Sequence, residues 1–259
     1  MMPAVVEANR GVLTVVMPCF NEADSVRLIV EAVLESPFVG EIIAVDDAST
    51  DATLKILTEL ARDDPRITVI AQPINRGKGA ALRSGFRAAR LPYVIVQDAD
   101  LEYDPAEYET ILEPLFAGEA DVVYGSRFQG GHARRVLYFW HTVGNRLLTV
   151  ASNVFTNLNL TDMETCYKAF RREVLEQITI EEDRFGVEPE ITAKVARAGL
   201  RVYEVGIGYR GRTYAEGKKI GWRDGIRALF CIVAYSPVGE RIRLKRWRRV
   251  AGWITGGRA

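Results

Sequence analysis

Three apolar runs, each leading into a polar, acid-bearing cluster, constrain this chain more than any other feature. LTVVM at 13–17 runs into PCFNE, EIIAVD at 41–46 into DASTD, and YVIVQ at 93–97 into DADLEYD. Ile67–Ala71 and a short Asp121–Tyr124 complete the set. Continuous apolar runs of this length read as strands buried on both faces. Between them lie stretches with helical spacing. Val26, Ile29, Val30, Val33 and Leu34 recur within 23–35, and Leu54, Leu57 and Leu60 follow a Ser49 or Thr50 N-cap. Helices are also predicted over 79–90 and 105–116. The alternation predicts an α/β fold, a mostly parallel sheet with helices on both faces. Pro18 is expected to end the first strand.

After Arg127 the pattern loosens into a C-terminal, mainly helical elaboration. Helices are expected within 132–160, over 188–198 and over 221–235, with a strand over 201–209. One domain, residues 1–239, and a tail, 240–259, is the simplest division. The tail holds seven basic residues and one acid, leaving 27 basic and 33 acidic residues in the body although the chain's net charge is zero. Such a split suggests a tail that binds a surface. Its Trp247 and Trp253, interleaved with the basic residues, fit an interfacial helix on anionic lipid. The longest apolar run, Ala228–Tyr235, is eight residues, too short to span a bilayer. The N-terminal MMPAVVEANRG lacks a signal peptide's apolar region. Cys19, Cys166 and Cys231 form no CxxC pair, so a reducing, cytoplasmic setting is expected. An acidic body without a recognition motif excludes nucleic acid as a partner.

The strand ends carry the chemistry. Ligands of open α/β sheets sit at the carboxyl ends of strands. Acids gathered there are costly unless something positive neutralises them. A divalent cation does so economically: Asp98 and Asp100, two residues apart, offer oxygens to Mg²⁺ or Mn²⁺, with Glu102 as a helper. Two nucleotide motifs fail in NRGKGAAL. Leu82 fills the third small position of GxGxxG, and the Walker spacing with its Lys-Ser/Thr pair is missing. Arg76–Gly79 reads instead as a basic, flexible loop near phosphates.

Taken together and in order, VVMPCFNE, IIAVDDASTD, NRGKGAAL, VQDADLEYDP and VVYGSRF resemble a family 2 glycosyltransferase of the GT-A fold. The likeness is narrower to the dolichol-phosphate mannose synthase-like branch, and it covers about residues 13–223. It implies an enzyme that moves a sugar from a nucleotide-diphosphate sugar to a polyprenyl phosphate. Pro18, Asn21 and Glu22 would line the base and ribose pocket, with Asp47 reading the nucleotide and Asp46 supporting it. Lys78 would lie near the phosphates. Asp98 and Asp100 would hold the metal, with Glu102 beside them, and Arg127 would face the sugar or phosphates. Arg212, Lys218 and Lys219 would close over the diphosphate. The chain departs from the mannose synthases at Gly217, where they commonly carry Ser, which leaves the donor open.

Members of the family invert the anomeric centre in one displacement. A hydroxyl acceptor needs a general base, whereas a phosphate monoester is already an anion at neutral pH. Asp162 and Glu164 in TDMETCYKAF are the candidate bases, although Cys166-Tyr167 replaces the family's usual small-Gly-Phe. Asp162 reads equally as catalytic, as acceptor-positioning or as a helix cap. Glu188 and Glu190 read as helix-capping or acceptor-side. Competing readings are transfer to a glycan or small-molecule hydroxyl, a nucleotide-sugar binding module without turnover, and a nucleotidyltransferase, for which PCFNE supplies no phosphate loop. A polyprenyl acceptor predicts peripheral binding at the cytoplasmic membrane face, through 132–160 and the tail.

Overall fold

The computed structural model describes residues 6–130, 135–136, 138–213, 221–237 and 239, with the side chains of Trp222 and Arg223 excepted. Seven strands form one sheet in the order β3-β2-β1-β4-β6-β5-β7. They are β1 (Leu13–Cys19), β2 (Val39–Asp46), β3 (Ile67–Ala71), β4 (Tyr93–Val96), β5 (Val122–Ser126), β6 (Lys168–Arg171) and β7 (Val202–Gly206). The main helices are α1 (Val26–Glu35), α2 (Thr53–Asp63), α3 (Lys78–Ala88), α4 (Tyr108–Phe116), α5 (Phe139–Thr156), α6 (Arg172–Gln177), α7 (Val187–Arg197) and α8 (Trp222–Tyr235). The expected α/β fold with a mostly parallel sheet is present. Leu13, Val15, Val16 and Met17 of β1 and Ile42–Val45 of β2 are sealed in the core, as their unbroken apolar runs require.

Two details differ from expectation. β1 runs through Pro18 to Cys19, with Pro18 opposite Val45. The pairing with β4 ends at Val16–Val96, so by Pro18 only the β2 side of the strand is paired and a missing N–H is tolerated. Neither Ser49 nor Thr50 caps α2. Asp51 accepts the Thr53 amide at 2.9 Å, while Ser49 accepts the Asn21 amide at 3.0 Å.

β6 was not foreseen. It enters between β4 and β5, antiparallel to both, with Ile95 opposite Ala169 and Tyr124 opposite Lys168. An antiparallel strand begins where its parallel neighbours end. The segment 157–167 and Lys168 are thereby delivered to the carboxyl edge, beside the ends of β4 and β5.

α3 lies close against β1. A Cβ on Gly85 would come 2.3 Å from Val16 Cγ1. Gly85→Ala should therefore lower stability by about 1–3 kcal/mol through overpacking. Denaturant unfolding checks this, with a fall in midpoint at unchanged slope.

Candidate active site

The ends of β1 and β2 are stitched into one pocket wall. Asn21, at a φ of +50° that Asn tolerates, accepts the Thr50 amide at 2.8 Å. The Glu22 amide donates to Thr53 Oγ1 at 2.8 Å. Asp47 is buried and accepts the amides of Arg76 at 2.9 Å and Gly77 at 2.6 Å. Burial raises its pKa against the lowering by those two amides. Asp46 accepts the Ser49 amide through one oxygen, while its other oxygen is buried without a hydrogen-bond partner. Asp47 thus shapes the loop, and Asp46 keeps an acceptor unspent. Pro18 lies part-exposed at the same edge.

The loop over 76–79 is glycine-rich because of close packing. Gly77, at φ +104°, would place a Cβ 2.6 Å from the Asp183 carbonyl, and Gly79 one 2.3 Å from that of Glu182. Asp183 fastens the loop further, pairing with Arg83 at 2.5 Å and Arg76 at 3.3 Å. The expected flexibility is replaced by a backbone pressed against residues 182–184.

At the end of β4, Gln97 is a buried hub. Its carbonyl accepts Tyr108 at 2.8 Å and Tyr167 at 2.6 Å, and its amide donates to the carbonyls of Asp98 and Tyr103. The acids that follow turn toward cations. Lys78 Nζ lies 2.9 Å from Asp98, 3.1 Å from Cys166 Sγ and 3.5 Å from Glu188. Burial opposes the charge on Lys78, and Asp98, with Cys166 and Glu188 behind it, outweighs that and raises its pKa. The Arg212 guanidinium donates to both oxygens of Glu22 at 3.0 Å and to Asp100 at 3.0 Å. Glu102 accepts the Arg212 amide at 2.6 Å and the Tyr209 hydroxyl at 2.8 Å. Asp104, last in the row, caps a 3₁₀ turn through the Ala106 amide at 3.0 Å. Burial, with Asp98 and then Glu102 beside it, pushes the Asp100 carboxyl up to about 7 in spite of Arg212.

A divalent ion fits this donor set. Mg²⁺ and Mn²⁺ take one or two carboxylates and complete their shell with phosphate oxygens and water. Asp98 and Asp100 would supply the carboxylates, and the Asp100 carboxyl, raised to about 7 by burial and its acidic neighbours, fits a place for added positive charge. Among the described residues no group of three or more His, Cys, Asp or Glu side chains could hold an ion alone. An ion held there would take the rest of its shell from ligand oxygens and water.

Across the edge, at the end of β5, Arg127 donates to Asp162 at 2.6 and 2.8 Å and to Asn145 of α5 at 3.2 Å. Its guanidinium stands 5.1 Å from the Tyr209 ring centroid. Asp162 is fully buried and also accepts the Arg127 amide at 3.0 Å. Glu204 of β7 accepts the Thr161 and Asp162 amides at 2.9 and 3.0 Å, fixing that turn. Lys168, fully buried, pairs with Glu188 and donates to the carbonyls of Met163 and Thr165. Lys168 and Gln97 escaped the sequence reading. A charged residue beginning a short apolar strand, and an amide inside the β4 end, were the available signals. Lys218 and Lys219 lie outside the described residues.

The sequence profile described as Glycosyl transferase family 2 matches residues 14–179. The chain is 32% identical over 256 residues to a polyprenol monophosphomannose synthase of Mycolicibacterium smegmatis, covering 96% of this chain and 94% of that one. It is 30% identical over 253 residues to an undecaprenyl-phosphate mannosyltransferase of Micrococcus luteus, covering 93% and 96%. Among solved structures, glucosyl-3-phosphoglycerate synthase from Mycobacterium tuberculosis, in complex with Mn²⁺, uridine-diphosphate and glucosyl-3-phosphoglycerate, superposes with a TM-score of 0.69. The identity is 20%, over 90% of this chain and 82% of that one, so this likeness speaks for the fold. With these matches spanning most of its length, the chain belongs to glycosyl transferase family 2.

Proposed function

We propose that this enzyme transfers a sugar from a nucleotide-diphosphate sugar to a polyprenyl phosphate, inverting the anomeric centre, with Mg²⁺ or Mn²⁺ on the diphosphate. The observation that carries the reading is the convergence of Glu22, Asp98 and Asp100 on Lys78 and Arg212, next to the pinned Arg127. The names of the mannosyl-transferring relatives support the acceptor class. Asp46 and Asp47, with Pro18 and Asn21, form the nucleotide end. Asp98 and Asp100, with Glu102 behind them, hold the ion. When bound, the ion stabilises charge on the departing diphosphate. Lys78 and Arg212 would reinforce that effect, and Lys218 and Lys219, which lie outside the described residues, are proposed to add to it. Arg127 faces the reacting groups, and Asp162 acts by holding it in place.

The acceptor's lipid requires a membrane surface. α5 is apolar on two sides. Leu148, Ala151 and Phe155 pack on the core, while Phe139, Trp140, Leu147, Val150 and Val154 are exposed, Trp140 at 77%. α8, packed beside it, exposes Ile226, Leu229 and Val233. Apolar residues on this scale on a soluble face mark a partner. Among the described residues no helix is long and apolar enough to cross a membrane, and the exposed apolar faces of α5 and α8 fit docking in the plane of its surface. The basic tail, which lies outside the described residues, would add attraction to anionic lipid.

Asp100→Ala should cut transfer at least about a hundredfold and weaken metal-dependent donor binding. Transfer assays and donor calorimetry with and without EDTA check this, and full activity in EDTA would sink the metal assignment. Asp162→Leu should cost about 2–4 kcal/mol of stability by removing the carboxylate paired with the mostly buried Arg127. Adding Arg127→Met should restore much of that stability without restoring transfer, as paired melts and assays will report. Replacing Phe139, Trp140 and Leu147 together by Ser should reduce flotation with anionic vesicles, and salt should weaken what remains. Equal flotation of wild type and variant would remove α5 from the membrane face.

A further inference from the structure

Glu164 sits midway along the segment that leads from α5 into β6. Asp162, two residues earlier, is bonded to Arg127, and Cys166, two residues later, accepts from Lys78. The segment is therefore tied to the donor side at both points, with Glu164 between them. Its Oε1 is buried and has no hydrogen-bond partner, although the residue as a whole keeps part of its surface exposed. A buried polar atom left unpaired is destabilising, and natural chains seldom keep one without a use.

The charges around it explain its state. Glu188 faces it from the start of α7, Lys168 from the start of β6, Arg127 from the end of β5, and Asp162 from its own segment. Both cations are already engaged, Lys168 by Glu188 and two carbonyls, Arg127 by Asp162. Burial, followed by the charge on Glu188, pushes the Glu164 carboxyl up to about 7, with Lys168 and Arg127 pulling the other way. An incoming phosphate would raise it further, because a second anion favours the protonated form.

We propose that Glu164 binds the acceptor phosphate, its carboxyl donating a hydrogen bond to one non-bridging oxygen while another oxygen of the same phosphate attacks the sugar. This rests on the phosphate-monoester reading of the acceptor. The attacking oxygen is an anion and carries no proton to remove. Its electron pair forms the bond to the anomeric carbon, the bond to the diphosphate breaks, and that electron pair leaves with the diphosphate. The Glu164 proton stays on Glu164 throughout. A hydroxyl acceptor would demand the opposite state, an ionised Glu164 taking a proton.

The two roles give opposite pH dependences. Steady-state transfer from a metal-loaded nucleotide sugar to a polyprenyl phosphate in detergent, followed from pH 6 to pH 8, separates them in wild type and Glu164→Gln. Wild-type KM for the acceptor should rise about tenfold over that range as the carboxyl ionises, with kcat little changed. Glu164→Gln keeps a neutral donor of the same shape, so its KM should stay near the wild-type low-pH value throughout. The ratio of the two profiles cancels the titration of the phosphate itself. If the glutamine variant shows the same rise, the Glu164 assignment falls while the acceptor reading stands. If wild type turns over no polyprenyl phosphate at any pH, the acceptor reading has failed and the assignment with it. A wild-type rate on a hydroxyl acceptor that climbs through pH 7, and is lost in Glu164→Gln, would make the residue a general base and overturn the proposal.

Discussion

Negative charge confined at one edge of the sheet governs how the rest of the molecule is arranged. Glu22, Asp46, Asp47, Asp98, Asp100 and Glu102 all reach the carboxyl ends of β1, β2 and β4, where little of their surface meets water. Carboxylates in such a place either gain a counter-charge or take up a proton. Each later part of the chain delivers an answer. α3 brings Lys78 to Asp98, and the segment after β7 brings Arg212 to Glu22 and Asp100. The loop before α3 brings two backbone amides to Asp47. Asp100, between Asp98 and Glu102, has its carboxyl raised to about 7, midway between the two solutions.

The reversed strand β6 extends the same logic to the other side of the edge. Had β6 run parallel to its neighbours, the turn before it would open at the opposite end of the sheet. Running antiparallel, it carries Asp162, Glu164, Cys166 and Lys168 to face the acids of β4. The result is a continuous line of alternating charge, from Asp98 through Lys78 and Glu188 to Lys168, with Arg127 and Asp162 alongside. Buried ion pairs of this kind add little stability over apolar packing, but removing one member strands its partner. They fix the positions of charges within a low-dielectric site, which is what a charge-transferring reaction needs.

What could be read in advance follows from the range of the interactions involved. β1, β2 and β4 announce themselves because a strand buried on both faces must be apolar at every position, a local property. The acids after β4 stand out for the same reason, as a sudden break in that pattern. Lys168–Arg171 is four residues with a cation at each end, so nothing local distinguishes it from a loop. Its burial depends on Glu188, twenty residues further along the chain. Arg212 was legible as a basic residue near phosphates, but its bonds to Glu22 and Asp100 span 190 and 112 positions. α5 shows the converse. Its apolar residues were evident, yet their division into an inner face at Leu148, Ala151 and Phe155 and an outer face at Phe139, Trp140 and Leu147 needed the helix docked on the core.

The cations that stabilise the free enzyme also bear on what happens when donor arrives. A divalent ion and a sugar diphosphate carry equal and opposite charge, so together they leave the balance of the edge unchanged. They nonetheless redistribute it. Under the proposed reading, an ion held by Asp98 and Asp100 would supply the counter-charge that Lys78 and Arg212 now give those acids. Lys78 retains Glu188 within 3.5 Å and Arg212 retains Glu22 at 3.0 Å, so neither has to leave the site. Held there by Glu188 and Glu22, both cations would stand beside a diphosphate whose charge grows as its bond to the sugar breaks. On that reading the cations that offset the acids of this edge would also stabilise the leaving group, and a change at either would be felt in stability and in rate together.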